Sequence, residues 1–423
     1  MAYSTSFVID GINMSIEAIR QIDRIEKVDS DATSGLEMFC YKEGTDTDSA
    51  STVRQTRGVV FDGDNVVMKT FGHTPEFNEF DAASIALSLG EHTIPDCMIF
   101  ESREGALIRV FSHKSKWYVA THRKLDAFRS KWSSRESFGS IFERALIHHY
   151  SIDKEFASMV GEAGASDPTL ILKLFLDKLD PEYTYTFLIS NTEENRIVCE
   201  APQYPVAYYA GSFSPSGNAY TMFDEIPLPR PQRLFFANAA ELCEHVKKSN
   251  PRLVQGVLIV SPRLETFKVT SSEYQYLYQL RGNCPSIKFR YLQLRNSGSL
   301  LTNFMNLYPL FRGDFAQYET VLQDIARNIH SSYIARFVKK QFVKVSPDEY
   351  RVIRDCHGRH ISDRSFKVTF DEVQKALTRL TPVTLNRMIK NFLNPRPEAA
   401  PEVSPPSEQV EEATASEEPN VIA

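Results

Sequence analysis

The chain has 423 residues, 42% hydrophobic and 24% charged, enough for two domains with cores of their own. No apolar run approaches the roughly 20 residues of a membrane-spanning helix, so no membrane partner is expected, and the N-terminus lacks the basic stretch and apolar block of a secretory leader. The net charge of −6 conceals a polarity: residues 395–423 hold seven Glu and one Arg, residues 281–394 hold 19 Lys/Arg against 9 Asp/Glu, and residues 1–280 hold 28 against 38.

Strands open the reading. Val59–Phe61 and Val66–Met68 flank the turn-forming Asp62-Gly63-Asp64-Asn65, and Ala106–Phe111 and Trp117–Thr121 flank the polar Ser112–Lys116; both patterns predict hairpins. The period then changes. Ser133-x-x-Glu136 reads as a capping box, followed by Phe138, Ile141, Phe142, Ala145 and Leu146 at helical spacing. Asp167-Pro168 opens a second helix, with Leu170, Ile171, Leu174 and Phe175 on one side, and Asp180-Pro181 closes it. Strands return at Tyr183–Ile189, Arg196–Cys199 and Gly256–Val260. Beyond about residue 281 the pattern is helical: Tyr318, Val321, Leu322, Ile325 and Ile329 form one stripe, Tyr333, Ile334, Phe337 and Val338 begin another, and Thr384 caps a last helix. The tail from Pro395, rich in Pro, Glu, Ala and Ser, is expected to be disordered.

Six cysteines stand singly, without a C-x-x-C pair, which fits free thiols in a reducing, intracellular compartment. Cys356-His357-x-x-His360 offers soft ligands but no fourth ligand or second cluster, so no metal site is assigned. His148-His149 at a helix end reads as a dipole partner. There is no G-x-x-x-x-G-K-[ST] phosphate loop.

Four separated pieces carry more. They are Arg57-Gly58-Val59-Val60-Phe61-Asp62 with Phe71–Phe80; Glu101-Ser102-Arg103-Glu104-Gly105-Ala106-Leu107-Ile108-Arg109-Val110-Phe111; Tyr185–Ile189 with Asn195-Arg196-Ile197-Val198; and Gln255-Gly256-Val257-Leu258-Ile259 with Phe267-Lys268-Val269-Thr270. In this order and at these gaps the pieces resemble the motifs of covalent nucleotidyltransferases, in the RNA ligase branch and nearest to RNA-ligase-like proteins of large DNA viruses. Weaker echoes of the viral helical domains stand at Leu292–Arg295 and Cys356–Arg364.

That resemblance implies an α+β fold: an ATP-grasp-like ligase core with antiparallel sheets over residues 1–280, a helical insertion near 123–180, a basic helical domain over 281–394, and the acidic tail. It also implies chemistry that these residues lack. A ligase of this class attacks the α-phosphate of a nucleoside triphosphate with a lysine amine. Here the nucleophile position holds Ser102, the ribose-contacting Glu position holds Leu188, the metal-assisting Glu position holds Gln255, and the second Lys of Lys-x-Lys is Thr270. Arg57, Glu104, Gly105 and Lys268 match, and Lys124 suits a phosphate-facing lysine; these five are the candidate nucleotide or RNA contacts.

The leading expectation is a catalytically degenerate RNA-ligase-like protein binding RNA, a nucleotide or a protein partner inside the cell, in the cytoplasm, or, for a viral protein, in the host cytoplasm or the virion. One alternative is an active ligase using ATP and Mg²⁺ with a lysine outside the matched motif, such as Lys69 or Lys114. The other is a structural virion protein that kept only the fold.

Overall fold

The turn at Asp62-Gly63-Asp64-Asn65 does what its residues dictate: strands Arg57–Asp62 and Asn65–Met68 pair antiparallel across it. They close a four-stranded sheet with Ile25–Asp31 and Leu36–Tyr41. The second hairpin pairs Gly105–His113 with Lys116–Ala120, turning through Lys114 and Ser115 at positive φ. The computed structural model describes residues 7–9, 12–44, 51–214, 217–223 and 225–394; the acidic tail lies outside the described residues.

Two five-stranded sheets position the site. In the first, Lys116–Ala120, Gly105–His113, Thr184–Ser190, Ala207–Phe213 and Tyr220–Thr221 follow one another antiparallel. In the second, Arg233–Leu234, Met98–Ser102, Gly256–Val260 and Thr266–Thr270 run antiparallel, and Glu76–Asn78 joins the edge in parallel. Strand side chains alternate between faces, and the alternation sorts both sheets. Ile108, Val110, Tyr185, Phe187 and Ile189 turn to one side and bury against Ile141, Phe142, Leu146, Phe156 and Phe175, while Leu107, Thr186 and Leu188 turn to the other and line a cleft. Likewise Ile99, Val257, Ile259, Phe267 and Val269 pack on helices Ala82–Ser88 and Ala239–Lys248, leaving Phe100, Ser102, Leu258 and Lys268 to the same cleft.

Several expected boundaries move. The cap of helix Phe138–Ile152 is Ser137, whose side chain accepts from Ser140 N; Ser133 instead donates its hydroxyl to the Glu194 and Pro285 carbonyls, and Glu136 pairs with Arg144. Asp167 caps a 3₁₀ turn, Pro168–Leu170, before helix Ile171–Leu176, and Leu170 stays exposed. Arg196–Cys199 is not a strand: Ile197 N and Val198 N donate to the Glu104 carboxylate, at 3.2 and 2.7 Å, instead of to a neighbouring strand. The last helix, Pro382–Leu393, is capped by Thr381, with Thr384 buried one turn in.

The chain separates into two compact units between Arg312 and Gly313, beyond the expected 280/281 boundary. The reason is packing around Arg196–Val198. Tyr308 donates its hydroxyl to the Ile197 carbonyl, and Arg281 donates to the Arg196 carbonyl. The Arg281 guanidinium also stacks on Trp132 and Tyr308. Residues 281–312 carry five basic and no acidic side chains, so much of the basic excess expected of the helical domain belongs to the first unit. The second unit is helical as expected. Its first helix, Arg312–Tyr333, buries the Tyr318, Val321, Leu322, Ile325 and Ile329 stripe and runs on as a π-helical turn, Ile334–Val338. Helices Pro347–Ser362, Phe370–Thr378 and Pro382–Leu393 follow. Among the described residues no helix is long and apolar enough to cross a membrane.

Candidate functional site

The cleft between the inner faces of the two sheets has a volume of about 370 Å³. Six of the nine residues singled out from the sequence line it: Arg57, Ser102, Gly105, Leu188, Gln255 and Lys268. Gly105 is required there because its strand runs against Thr184–Ser190 so closely that a Cβ would stand 2.2 Å from the Ile189 carbonyl oxygen.

Three do not line it. Thr270 shares a strand face with Lys268, but helix Ser272–Arg281 begins at once and Gln275 donates to the Thr270 hydroxyl at 2.9 Å, covering it. Glu104 points away into the protein, accepting from Val198 N, Ile197 N and the Tyr274 hydroxyl at 2.9 Å. Burial pushes its carboxyl above the usual range, against the pull of those donors. Lys124 sits in a turn closed by Thr121 N donating to its carbonyl at 2.8 Å.

Ser102 and Gln255 are neighbours because their strands pair, Gly256 opposite Ser102. The Ser102 hydroxyl donates to Gln255 Oε1 at 3.1 Å, and Gln255 Nε2 donates to the Tyr274 hydroxyl at 2.9 Å. Tyr274 in turn donates to Glu104. The sequence therefore holds a four-residue relay whose only carboxylate is at the far end. Among the described residues the hydrogen-bond acceptor of the Ser102 hydroxyl is a neutral amide. Gln255 spends its oxygen on Ser102 and carries no charge. The cleft carboxylates Glu76 and Glu101 are each paired with a cation, Lys268 and Arg103.

The cationic end is at Arg57. Behind it Arg109, fully buried, donates to the Thr70 hydroxyl at 2.8 Å and to the Arg57 carbonyl. Burial, with Arg57 beside it, pulls Arg109 down to about 9. His122 is pulled down to about 3 by burial and then by Arg57, Arg109 and Arg123. Arg57 Nε and Arg109 Nη1 are buried without a hydrogen-bond partner, and no carboxylate pairs with either arginine among the described residues. Arg109, Tyr274, Glu76 and Arg103 were not singled out from the sequence. Glu76, Arg103 and Arg109 lie inside the matched pieces; nothing local announces Tyr274.

The remaining candidates sit elsewhere. Lys69 donates to Gln55 at 3.1 Å in an adjoining pocket, its amine lowered by burial. Lys114 pairs with Asp62 at 2.9 Å, outside the cleft. Cys356 is buried, His357 stacks on Phe337 at 3.8 Å, and His360 bonds the Phe366 carbonyl. His149 bonds the Pro227 carbonyl, and His148 stacks on Tyr204.

No protein-family model matches the chain. In sequence it is similar to the immediate-early protein ICP-46 homolog of Invertebrate iridescent virus 6, 29% identical over 398 residues that span 88% of this chain and 84% of that protein. The ICP-46 homolog of Invertebrate iridescent virus 3 is 27% identical over 343 residues, 79% of this chain and 72% of that one. These relatives are proteins of large DNA viruses. The solved structures it resembles are ATP-dependent ligases; an archaeal ATP-dependent RNA ligase aligns with 85% of this chain and 72% of its own at 13% identity and a TM-score of 0.35. What the cleft can do is decided by its own residues.

Proposed function

We propose that this chain is an RNA-ligase-like protein that binds a nucleotide or an RNA terminus in the cleft and does not carry out nucleotidyl transfer. The observation that carries the reading is the Ser102–Gln255 hydrogen bond. It joins the nucleophile position to the metal-assisting position through two neutral groups, and neither supplies what the chemistry needs. Covalent transfer requires an amine in line with the leaving group, held within about 3–3.5 Å of phosphorus. Of the lysines, Lys268 alone lines the cleft among the described residues, and its amine is held by Glu76 at 2.7 Å. Binding is supported by the opposite feature: Arg57 lines the cleft and, among the described residues, no carboxylate pairs with it.

The test is incubation with α-phosphate-labelled ATP or GTP and Mg²⁺, with label read on the acid-denatured protein, beside equilibrium binding of the unlabelled nucleotides. The expected result is binding without a covalent adduct, with affinity lost in Arg57→Ala. Acid-stable label that vanishes in Lys69→Ala, Lys114→Ala or Lys268→Ala would show a working ligase and overturn the proposal.

A further inference from the structure

The charges of the cleft decide more than whether an anion enters. Among the described residues its lining carries three full cations, Arg57, Arg103 and Lys268, and two carboxylates, Glu76 and Glu101. The register of the sheet fixes one pair: Glu76–Asn78 runs parallel to Thr266–Thr270 with Glu76 opposite Lys268, and Lys268 Nζ stands 2.7 Å from Glu76 Oε1. The second pair is Arg103 with Glu101, its Nη2 at 3.2 and 3.3 Å from the two carboxylate oxygens, while the guanidinium rests on the Tyr208 ring. Only Arg57, of these three, has a buried donor without a partner.

From this arrangement, and resting on the nucleotide reading above, we infer that the cleft selects a single phosphate group, a nucleoside or oligonucleotide 5′-monophosphate, over a triphosphate. One phosphate monoester carries about −1.5 to −2 charges near neutral pH, which the Arg57 end can meet without disturbing either ion pair. A longer phosphate chain also needs the other two cations of the cleft, Lys268 and Arg103. There it meets Glu76 and Glu101, which already occupy those cations and repel further negative charge. The usual remedy is a divalent cation bridging the phosphates, and Gln255 offers it no anionic ligand. Glu76 is thus an internal competitor for the outer phosphates. Removing its charge frees Lys268 and leaves Arg57, Ser102 and Gln255 untouched.

The experiment measures equilibrium binding of AMP, ATP and a 5′-phosphorylated RNA oligonucleotide, with its 5′-hydroxyl counterpart as reference, to the full chain and to Glu76→Gln, in EDTA and in Mg²⁺. The native protein is expected to bind AMP at least as tightly as ATP in both buffers. Glu76→Gln is expected to gain about tenfold for ATP and little for AMP, equivalent to about 1.4 kcal/mol of differential affinity. Tighter binding of the 5′-phosphorylated than of the 5′-hydroxyl RNA, with AMP weak, assigns the phosphate to a nucleic-acid end; comparable AMP binding assigns it to a free nucleotide. Native protein that binds ATP tenfold more tightly than AMP, or a Glu76→Gln variant unchanged toward both, refutes the selectivity. If no probe binds either protein, the nucleotide reading itself fails, and the selectivity with it.

Discussion

Replacing Glu104 separates a binding residue from a structural one. The motif resemblance puts Glu104 among the ligand contacts, whereas its side chain is buried and turned from the cleft. Glu104→Ala would remove the acceptor of four donors: Val198 N at 2.7 Å, Ile197 N at 3.2 Å, the Tyr274 hydroxyl at 2.9 Å and Asn191 Nδ2 at 3.4 Å. Each costs about 1–3 kcal/mol when left unsatisfied, and partial relaxation of the 196–199 segment brings the expected total to about 3–5 kcal/mol. Glu104→Gln keeps one acceptor oxygen and should cost about 1–2 kcal/mol. The pH dependence has a definite sign. The folded carboxyl is held above its unfolded value, so the folded state binds more protons in the window between the two. The stability of the native protein therefore falls, relative to Glu104→Gln, as pH rises through that window. Urea unfolding of the three proteins across pH 4–8, followed by fluorescence, reads both effects. Nucleotide affinity of Glu104→Gln, measured where the variant is folded, should match the native value. A loss of stability below about 1 kcal/mol for Glu104→Ala, or a large loss of affinity in a stable Glu104→Gln, would refute the structural assignment.

Other substitutions follow from the same geometry. Gly105→Ala places a Cβ 2.2 Å from a backbone oxygen and should lower stability by about 1–3 kcal/mol or more, seen as a shifted unfolding midpoint. His122, held near 3 when folded, stays neutral while the unfolded chain takes up a proton below about 6.5; stability should fall with acid by up to about 1.4 kcal/mol per pH unit, a slope His122→Gln removes. Ser102→Lys alone should give no adduct with labelled ATP, because Gln255 supplies no charge; any recovery needs Gln255→Glu and Leu188→Glu as well. Adding Thr270→Lys should instead impair folding, since Thr270 is fully buried under Gln275, and a well-folded quadruple variant would contradict that placement.

The sequence by itself determined the elements whose residues act locally. The Asp62-Gly63-Asp64-Asn65 turn, the helical stripe from Tyr318 to Ile329 and the alternation in Tyr183–Ile189 depend on neighbours a few residues away, and they form as their patterns require. The four motif pieces also contain residues that line one cleft: Ser102 and Lys268 face it by strand alternation in one sheet, Leu188 in another, and Arg57 stands on a third. Tertiary structure decided the rest. Arg196–Cys199 has the composition of a strand, yet a buried carboxylate distant in sequence takes its amide hydrogens. Thr270 has the parity of a cleft residue, yet the next helix covers it. The 281–312 segment has the charge of the helical domain, yet Arg281 and Tyr308 fasten it to the first unit. In each case the deciding partner is a single side chain or backbone group far along the chain, and no local period records where such a partner will arrive.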